Sequence, residues 1–391
     1  MEKDASKEII LDMGNRCRNC NYCFTSCPLY HSTRGFISQS PSGLLQSIRY
    51  ALKWDLLKGS DRTIIRDLLY SCTTCNSCVI RCKSKATGIG ILQAIEAGRK
   101  VLREMMIGPL PQQRKPLQDI FQYGNPYGEK PEKRHAWLEG LQVKRLPEEK
   151  ADVLFYVGCT IAHDPALHAM GKSLIRLMTR LNVDFGILEG EICCGDPALR
   201  MGDQAVFEEL AEKNTGRFLE SGVSTIVTAS PHCFNTFLNE YPSLADKVKV
   251  RHYTEFIFDL LKADPSFLKR DFPHTVTYHD PCYMGKHNQV FETPRKLLQA
   301  VGGLKLVEMA MNRNDSLCCG GGGGRMFAEV EEEPRLSRTR IDHAKEAGAD
   351  VLATACPWCF TMLTNASKET GATGESVRVL DIAQIIEEVV R

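Results

Sequence analysis

The spacing of apolar residues changes character along the chain. In Ser42–Leu57 apolar side chains recur at Leu44, Leu45, Ile48, Ala51, Leu52 and Leu56, the spacing of a helix with one buried face. Ser42, after Pro41, is the expected N-cap. Arg62–Tyr70 and Gly90–Met106 read as two further helices. Residues 1–107 are therefore expected to form an all-helical domain. Pro109–Lys150 is rich in Pro, Lys, Arg and Gln and keeps no period, so residues 108–150 are expected as a linker. From Ala151 onward short apolar runs alternate with amphipathic stretches. Runs of this kind predict α/β units around parallel sheets. The expected fold class is thus α followed by α/β.

The α/β part repeats itself. One copy starts at Asp152–Gly158 and reaches Cys159, and the other starts at Thr275–Pro281 and reaches Cys282. Each continues to a Cys-Cys-Gly, Cys193-Cys194-Gly195 and Cys318-Cys319-Gly320. Each then has a second strand running into a cysteine-bearing loop, with Cys233 in one copy and Cys356 and Cys359 in the other. Residues 151–270 and 271–391 are the two expected domains, and a pseudo-two-fold relation between them is expected. In parallel sheets functional residues gather at the carboxyl ends of strands, and both copies place cysteines there.

Cysteine spacing supplies the chemistry. Eight of the seventeen cysteines form two runs, Cys17-x2-Cys20-x2-Cys23-x3-Cys27 and Cys72-x2-Cys75-x2-Cys78-x3-Cys82. This is bacterial ferredoxin spacing, in which the fourth cysteine of each run ligates the other cluster. Cys17, Cys20, Cys23 and Cys82 are assigned to one [4Fe–4S] cubane, and Cys72, Cys75, Cys78 and Cys27 to a second. Zinc also takes four thiolates, but two consecutive x2 steps followed by x3, twice over, favour iron. The N-terminal domain is read as an all-helical two-cluster ferredoxin.

Composition narrows the class. At 43% hydrophobic and 25% charged residues the 391-residue chain is of ordinary globular type. A net charge of +1 gives no field for nucleic acid. No apolar stretch reaches the roughly 18 residues of a membrane span, and the charged start of the chain does not read as an export signal. Many cysteines without export imply a reducing, cytoplasmic setting and metal ligation. Peripheral membrane association stays open.

In the second copy Cys282, Cys318, Cys319, Cys356 and Cys359 give five thiolates from three loops, one more than a cubane takes. Gly320–Gly324 is expected to let backbone approach a bulky cluster. It lacks the Lys-Ser/Thr of a phosphate loop. This duplicated pattern behind a two-cluster ferredoxin module resembles the catalytic subunit family of heterodisulfide reductase, built on CCG domains. Similar subunits occur with glycolate and lactate oxidases and anaerobic glycerol-3-phosphate dehydrogenase. Close cousins pair with electron-transfer flavoproteins and benzoyl-CoA reductase assemblies. The resemblance implies that those five cysteines hold a noncubane [4Fe–4S] cluster, and that the chain works in a hetero-oligomeric redox complex of anaerobic metabolism.

The first copy departs from that pattern. Ser230 stands where Cys356 stands, leaving Cys159, Cys193, Cys194 and Cys233, a set that suits zinc, a further cluster or a structural site. Lys83 follows Cys82 and either raises a cluster potential or is solvated. His279 and Asp280 offer a proton relay or a strand-end hydrogen bond. His232 and Trp358 occupy matching places and either shield clusters or pack. Arg325 offers a partner for a carboxylate or for cluster charge. Lys286 and His287 either line an entrance or lie in an exposed loop, and Glu329–Glu333 reads as a solvated helix face. Two functions follow. The chain is an iron–sulfur electron-transfer subunit that moves single electrons through two cubanes to the C-terminal cluster, or a disulfide reductase acting at that cluster. No flavin or nicotinamide motif is present, so a two-electron donor is expected on a partner.

Overall fold

The computed structural model describes residues 5–83, 90–328, 334–371 and 376–390. Glu329–Glu333 lies outside them. Helices Ala5–Arg16, Pro41–Lys53, Arg62–Ser71 and Ile91–Glu104 pack around Ile10, Leu44, Leu45, Ile48, Leu69, Ile95 and Leu102, all buried. The last three helices are the ones read from the sequence, and Ala5–Arg16 is an addition to that reading. The cap of Pro41–Lys53 is Ser40 rather than Ser42, its hydroxyl accepting from Gly43 N at 3.1 Å. Pro41 has no N–H and a helical φ, so it takes the first helical position and the cap falls on Ser40, two residues before the expected Ser42.

The segment expected as a linker is built into the fold. It carries the helix Pro111–Tyr123 and the strand β1 (Lys144–Leu146). Leu146 is fully buried, but three residues are too short for a period to announce them. The first sheet adds β2 (Val153–Tyr156), β3 (Phe185–Leu188), β4 (Thr225–Thr228) and β5 (Lys249–His252), all parallel, in the order β1-β3-β2-β4-β5. The second has β6 (Thr275–Tyr278), β7 (Lys305–Val307), β8 (Val351–Thr354) and β9 (Arg378–Asp381), parallel in the order β7-β6-β8-β9. Apart from β1 the two topologies are the same. In each, strand order reverses beside the first strand of the repeat, and such switch points open a crevice at the strand ends.

The two repeats share one apolar core, with Phe155, Leu174 and Ile257 in the same cluster as Val276, Leu298, Ile382 and Ile386. Their contacts are reciprocal, as a pseudo-two-fold requires. The helix after β9, Ile382–Val389, lies on His168–Arg180 of the first repeat, and the helix after β5, Tyr253–Ala263, lies on Glu292–Gln299 of the second. Arg176 Nε donates to Glu387 Oε1 at 3.0 Å across this junction, and Tyr253 OH donates to Asp381 Oδ1 at 2.5 Å. Among the described residues no helix is long and apolar enough to cross a membrane.

Arg99 joins all three units. It is fully buried, and its guanidinium donates to the carbonyls of Leu69, Cys72, Arg200 and Gly323 at 2.6–3.1 Å. Arg99→Leu strips these carbonyls of their donors, each at about 1–3 kcal/mol. The variant should lose about 3 kcal/mol or more of stability, read as a lower apparent melting temperature.

Asp381 makes a second prediction. Burial pushes its carboxyl up to about 7, although the Tyr253 hydroxyl bond works the other way. The folded group holds its proton more tightly than the unfolded one at 3.8. Its contribution therefore favours the fold below pH 3.8 and is lost as pH rises through about 7. Asp381→Asn keeps the helix cap and the Oδ1 acceptor. Melting temperatures measured between roughly pH 5 and 8 should turn increasingly in the variant's favour as pH rises.

Candidate iron–sulfur sites

Both ferredoxin runs use the same backbone device. The residues flanking the second cysteine have positive φ in each: Asn19 (49°) and Asn21 (61°) around Cys20, Thr74 (52°) and Asn76 (65°) around Cys75. Left-handed residues curl an x2-spaced loop so that its thiols turn to one side. Asn tolerates this conformation, but a β-branched Thr is strained there, at about 1–3 kcal/mol. Thr74 is held by Tyr283, whose hydroxyl lies 2.9 Å from Thr74 Oγ1, and by His287 Nε2, 2.9 Å from Thr74 O.

The thiols fall into crossed sets. Burial pushes Cys23 up to about 11, with the like charges of Cys17 and Cys82 adding to it. Cys27 is driven well above its ordinary value by burial, with Cys75 and Cys72 as its like-charge neighbours. Cys78 is raised by burial and by Cys72, Cys75 and Cys27. Cys82 thus sits with the first run and Cys27 with the second. Cys20 is exposed, while Cys75 and Cys78 are buried. Lys83 rests its ammonium over the Tyr22 ring at 4.6 Å, a cation–π contact beside the first run.

In the second repeat five thiols converge at the ends of β6, β7 and β8. Thiol–thiol contacts run from Cys282 to Cys318, from Cys318 to Cys319, from Cys319 to Cys359, and from Cys359 to Cys356. The Sγ atoms of Cys319 and Cys359 stand 3.4 Å apart. Hydrogen bonds from Cys282 and Cys319 hold Cys318 well below its ordinary value. Burial opposes ionisation of Cys356, but bonds from Cys359 and the field of His232 bring it down to about 7. One nitrogen of His279 lies within 4.8 Å of the Cys319 and Cys359 sulfurs. Arg340 is buried beside it, and its Nη2 has no partner among the described residues. A clustered set of soft donors beside an orphaned guanidinium nitrogen fits an anionic metal–sulfur group.

The first repeat brings together Cys159, Cys193, Cys194 and Cys233, linked thiol to thiol in that order and all buried. Arg134 Nη1 lies 3.7 Å from Cys159 Sγ, and the same guanidinium pairs with the buried Glu191. Ser230 is the N-cap of Pro231–Asn239 and accepts from His232 N at 3.3 Å. Cys356 accepts the corresponding backbone N–H of Trp358. The first repeat therefore keeps the cap and drops the soft ligand. In both repeats the glycine after the pair donates N–H to the first sulfur, Gly195 to Cys193 at 3.4 Å and Gly320 to Cys318 at 3.3 Å.

The matching residues of the repeats meet at the pseudo-axis. The rings of His232 and Trp358 are 4.1 Å apart, Trp358 Nε1 donates to Thr160 Oγ1 at 2.8 Å, and His232 packs on Tyr283 at 4.1 Å. His232 Nδ1 lies 3.0 Å from Asp196 Oδ2. The cavity there, between the first quartet and Trp358, measures only about 30 Å³, room for about one water.

Several expectations change. The glycine run faces the ferredoxin unit more than a cluster. A Cβ on Gly322 would stand 2.3 Å from Thr73 O, and one on Gly323 2.4 Å from Cys72 O. Arg325 donates to Ser71 O at 3.0 Å. Lys286 is buried and His287 stacks on Tyr283 at 4.1 Å, so neither lies in an exposed loop. Asp280 is bound bidentately by Arg295. Burial and Arg340 lower His279 to about 3, and its Nδ1 accepts from Arg340 Nε at 3.3 Å. Arg99, Arg134, Glu191 and Arg340 escaped the sequence reading because their partners are distant in the chain.

Residues 153–238 and 276–364 match the Cysteine-rich domain family (CCG), and residues 13–86 match the 4Fe-4S dicluster domain family. The chain is 32% identical to a subunit of the dihydromethanophenazine:CoB–CoM heterodisulfide reductase of Methanosarcina barkeri, over 95% of this chain and 93% of that one. It is 32% identical to the probable iron-sulfur-binding oxidoreductase FadF of Bacillus subtilis, over 83% of this chain and 46% of that one. With the EtfAB:quinone oxidoreductase of Syntrophomonas wolfei it shares 31% identity, over 82% and 46% respectively. The chain thus spans nearly all of the first relative and about half the length of the other two.

The Ser230/Cys356 contrast is testable in both directions. Cys356→Ser should keep the fold, seen by circular dichroism, and lose about four irons on anaerobic metal analysis. Ser230→Cys should complete a five-thiol set in the first repeat and add about four irons.

Proposed function

Because the chain belongs to the cysteine-rich-domain iron–sulfur oxidoreductases of the heterodisulfide reductase type, we propose that it relays single electrons within a multi-subunit complex. Cys17, Cys20, Cys23 and Cys82 would hold one cubane, Cys72, Cys75, Cys78 and Cys27 the second, and Cys282, Cys318, Cys319, Cys356 and Cys359 a noncubane [4Fe–4S] cluster. Bound there, these groups supply one-electron oxidation and reduction. One observation carries the reading: Cys75 shares a buried cluster with all five C-terminal cysteines and raises the pKa of Cys282 by its charge. The exposed Cys20 marks the surface end of the path and the buried C-terminal site its inner end. The chain's own part is to fix this order and to neutralise charge with Arg340.

The first quartet, Cys159, Cys193, Cys194 and Cys233, is proposed as a side site for zinc or a further cluster, with Arg134 offsetting part of its charge. The partners proposed are a flavoprotein or heterodisulfide-reductase-like subunits, in the reducing cytoplasm.

One observation favours the second reading, disulfide reduction. A cavity of about 490 Å³ reaches Cys319 and is lined by Arg325, Arg335, Lys368 and Met362, a volume in the range of small-molecule sites. The relay is preferred because only the second repeat has all five cysteines, the first having Ser230 in place of the fifth.

Anaerobic purification with iron, zinc and sulfide analysis tests the relay. About twelve irons per chain are expected, or more if the first quartet is filled, and about eight would leave the C-terminal site without its cluster. A new paramagnetic signal on adding a thiol to the oxidised protein would move the assignment to disulfide chemistry.

A further inference from the structure

We infer that Lys286 is a positioning residue for electron transfer, a fixed positive charge shared by the Cys27/Cys72/Cys75/Cys78 quartet and the C-terminal five-cysteine site. The inference rests on the relay reading and names a group that stabilises the reduced form at both ends of its last step.

Lys286 lies in the helix Cys282–Asn288, four residues after Cys282 and so on the same face. Only 2% of its surface is exposed. Its ammonium donates to Ser77 Oγ at 2.6 Å and to the Ser316 carbonyl at 2.5 Å. Ser77 belongs to the second ferredoxin run, and its hydroxyl lies 3.3 Å from Cys75 Sγ. Because Nζ already donates to the Ser77 oxygen, the hydroxyl hydrogen is free to point at the Cys75 sulfur. Ser316 lies two residues before Cys318, in the loop that carries it. A continuous polar bridge thus runs from Cys75 through Ser77 and Lys286 to the loop that carries Cys318.

No ion pair among the described residues includes Lys286. A buried ammonium without a counter-ion is costly, and neutral oxygens offset only part of that cost. Anionic groups on both sides of the bridge supply the remainder. A fixed cation stabilises whichever neighbour carries the extra electron, so it raises the reduction potential of both.

The test is an EPR-monitored redox titration of the full-length protein, purified anaerobically and reduced with dithionite, with iron measured on each sample. Lys286→Gln removes the charge and keeps a hydrogen-bonding side chain of similar length. At a fixed potential the reduced-to-oxidised ratio of the second cubane or the C-terminal cluster should fall at least tenfold, about 59 mV for one electron. Iron content and the signal of the Cys17/Cys20/Cys23/Cys82 cluster should not change. An unchanged ratio with full iron overturns the inference. If Lys286→Gln loses iron or does not fold, Ser77→Ala decides. It keeps the ammonium and breaks the bridge to Cys75, so a smaller fall in the same direction supports the inference and no change overturns it. A wild-type protein with only about eight irons overturns the relay reading itself, and iron analysis registers that separately from any potential.

Discussion

A single buried guanidinium holds the arrangement together. Arg99 has five N–H groups, and five hydrogen bonds run from it to carbonyls. Those carbonyls belong to the helical unit at Leu69 and Cys72, to the first repeat at Arg200, and to the second at Gly323. A charge taken wholly out of water is tolerated only when every donor is matched. The demand runs in both directions: the cation needs all three units in place, and each unit has a carbonyl that needs the cation. Cys72 also feels the positive charge, which opposes the effect of burial on its thiol. Arg99 therefore fixes where the second ferredoxin run sits relative to the C-terminal site.

Around that anchor the seam is built from small parts. Gly322 and Gly323 let the loop after Cys319 press against the backbone of Cys72 and Thr73, an approach that any side chain would block. Tyr283 and His287, from the helix that begins at Cys282, grip the strained Thr74. Gln113, from the helix in the supposed linker, donates to Gly324 O at 3.0 Å. Each contact joins a residue next to a ferredoxin cysteine, or a helix of the first half, to a loop of the C-terminal site. The seam has little freedom. Rigid polar surroundings of this kind hold a site's geometry and tune its potential.

What the sequence made legible follows from how local each signal is. The ferredoxin spacing and the duplicated Cys-Cys-Gly are short-range patterns, readable without any knowledge of distant contacts. The repeat also announced two sheets of equal topology. What stayed hidden depends on partners far away in the chain. β1 is three residues long and declares itself only by pairing with β3. Arg134 reads as one more solvated charge in a basic stretch, until the fold sets it against Glu191 and Cys159. Lys286 likewise looks like a surface lysine, because its two acceptors come from separate loops. The glycine run was read as room for a cluster because clusters are bulky, but the nearer obstacle is another backbone.

The pseudo-two-fold is broken where chemistry needs it broken. The two repeats share topology, caps and the N–H···S bond after the cysteine pair, so their scaffolds are equivalent. Their surroundings are not. The helical unit places Cys75 against Cys282, whereas the main influences on the Cys159 and Cys193 thiols are neighbouring cysteines, backbone and Arg134. Both sets of thiols pack near the ferredoxin unit, the first in a core shared with Cys23, Cys27 and Cys78 and the second in one shared with Cys75. The second repeat has the fifth cysteine, the orphaned Arg340 nitrogen and the unpaired Lys286 ammonium. The other has a serine that caps a helix and an arginine already neutralised by Glu191. Extra positive charge is left uncompensated in the second repeat and is cancelled in the first. The second repeat, unlike the first, thus keeps positive charge in reserve for an anionic group among its five cysteines.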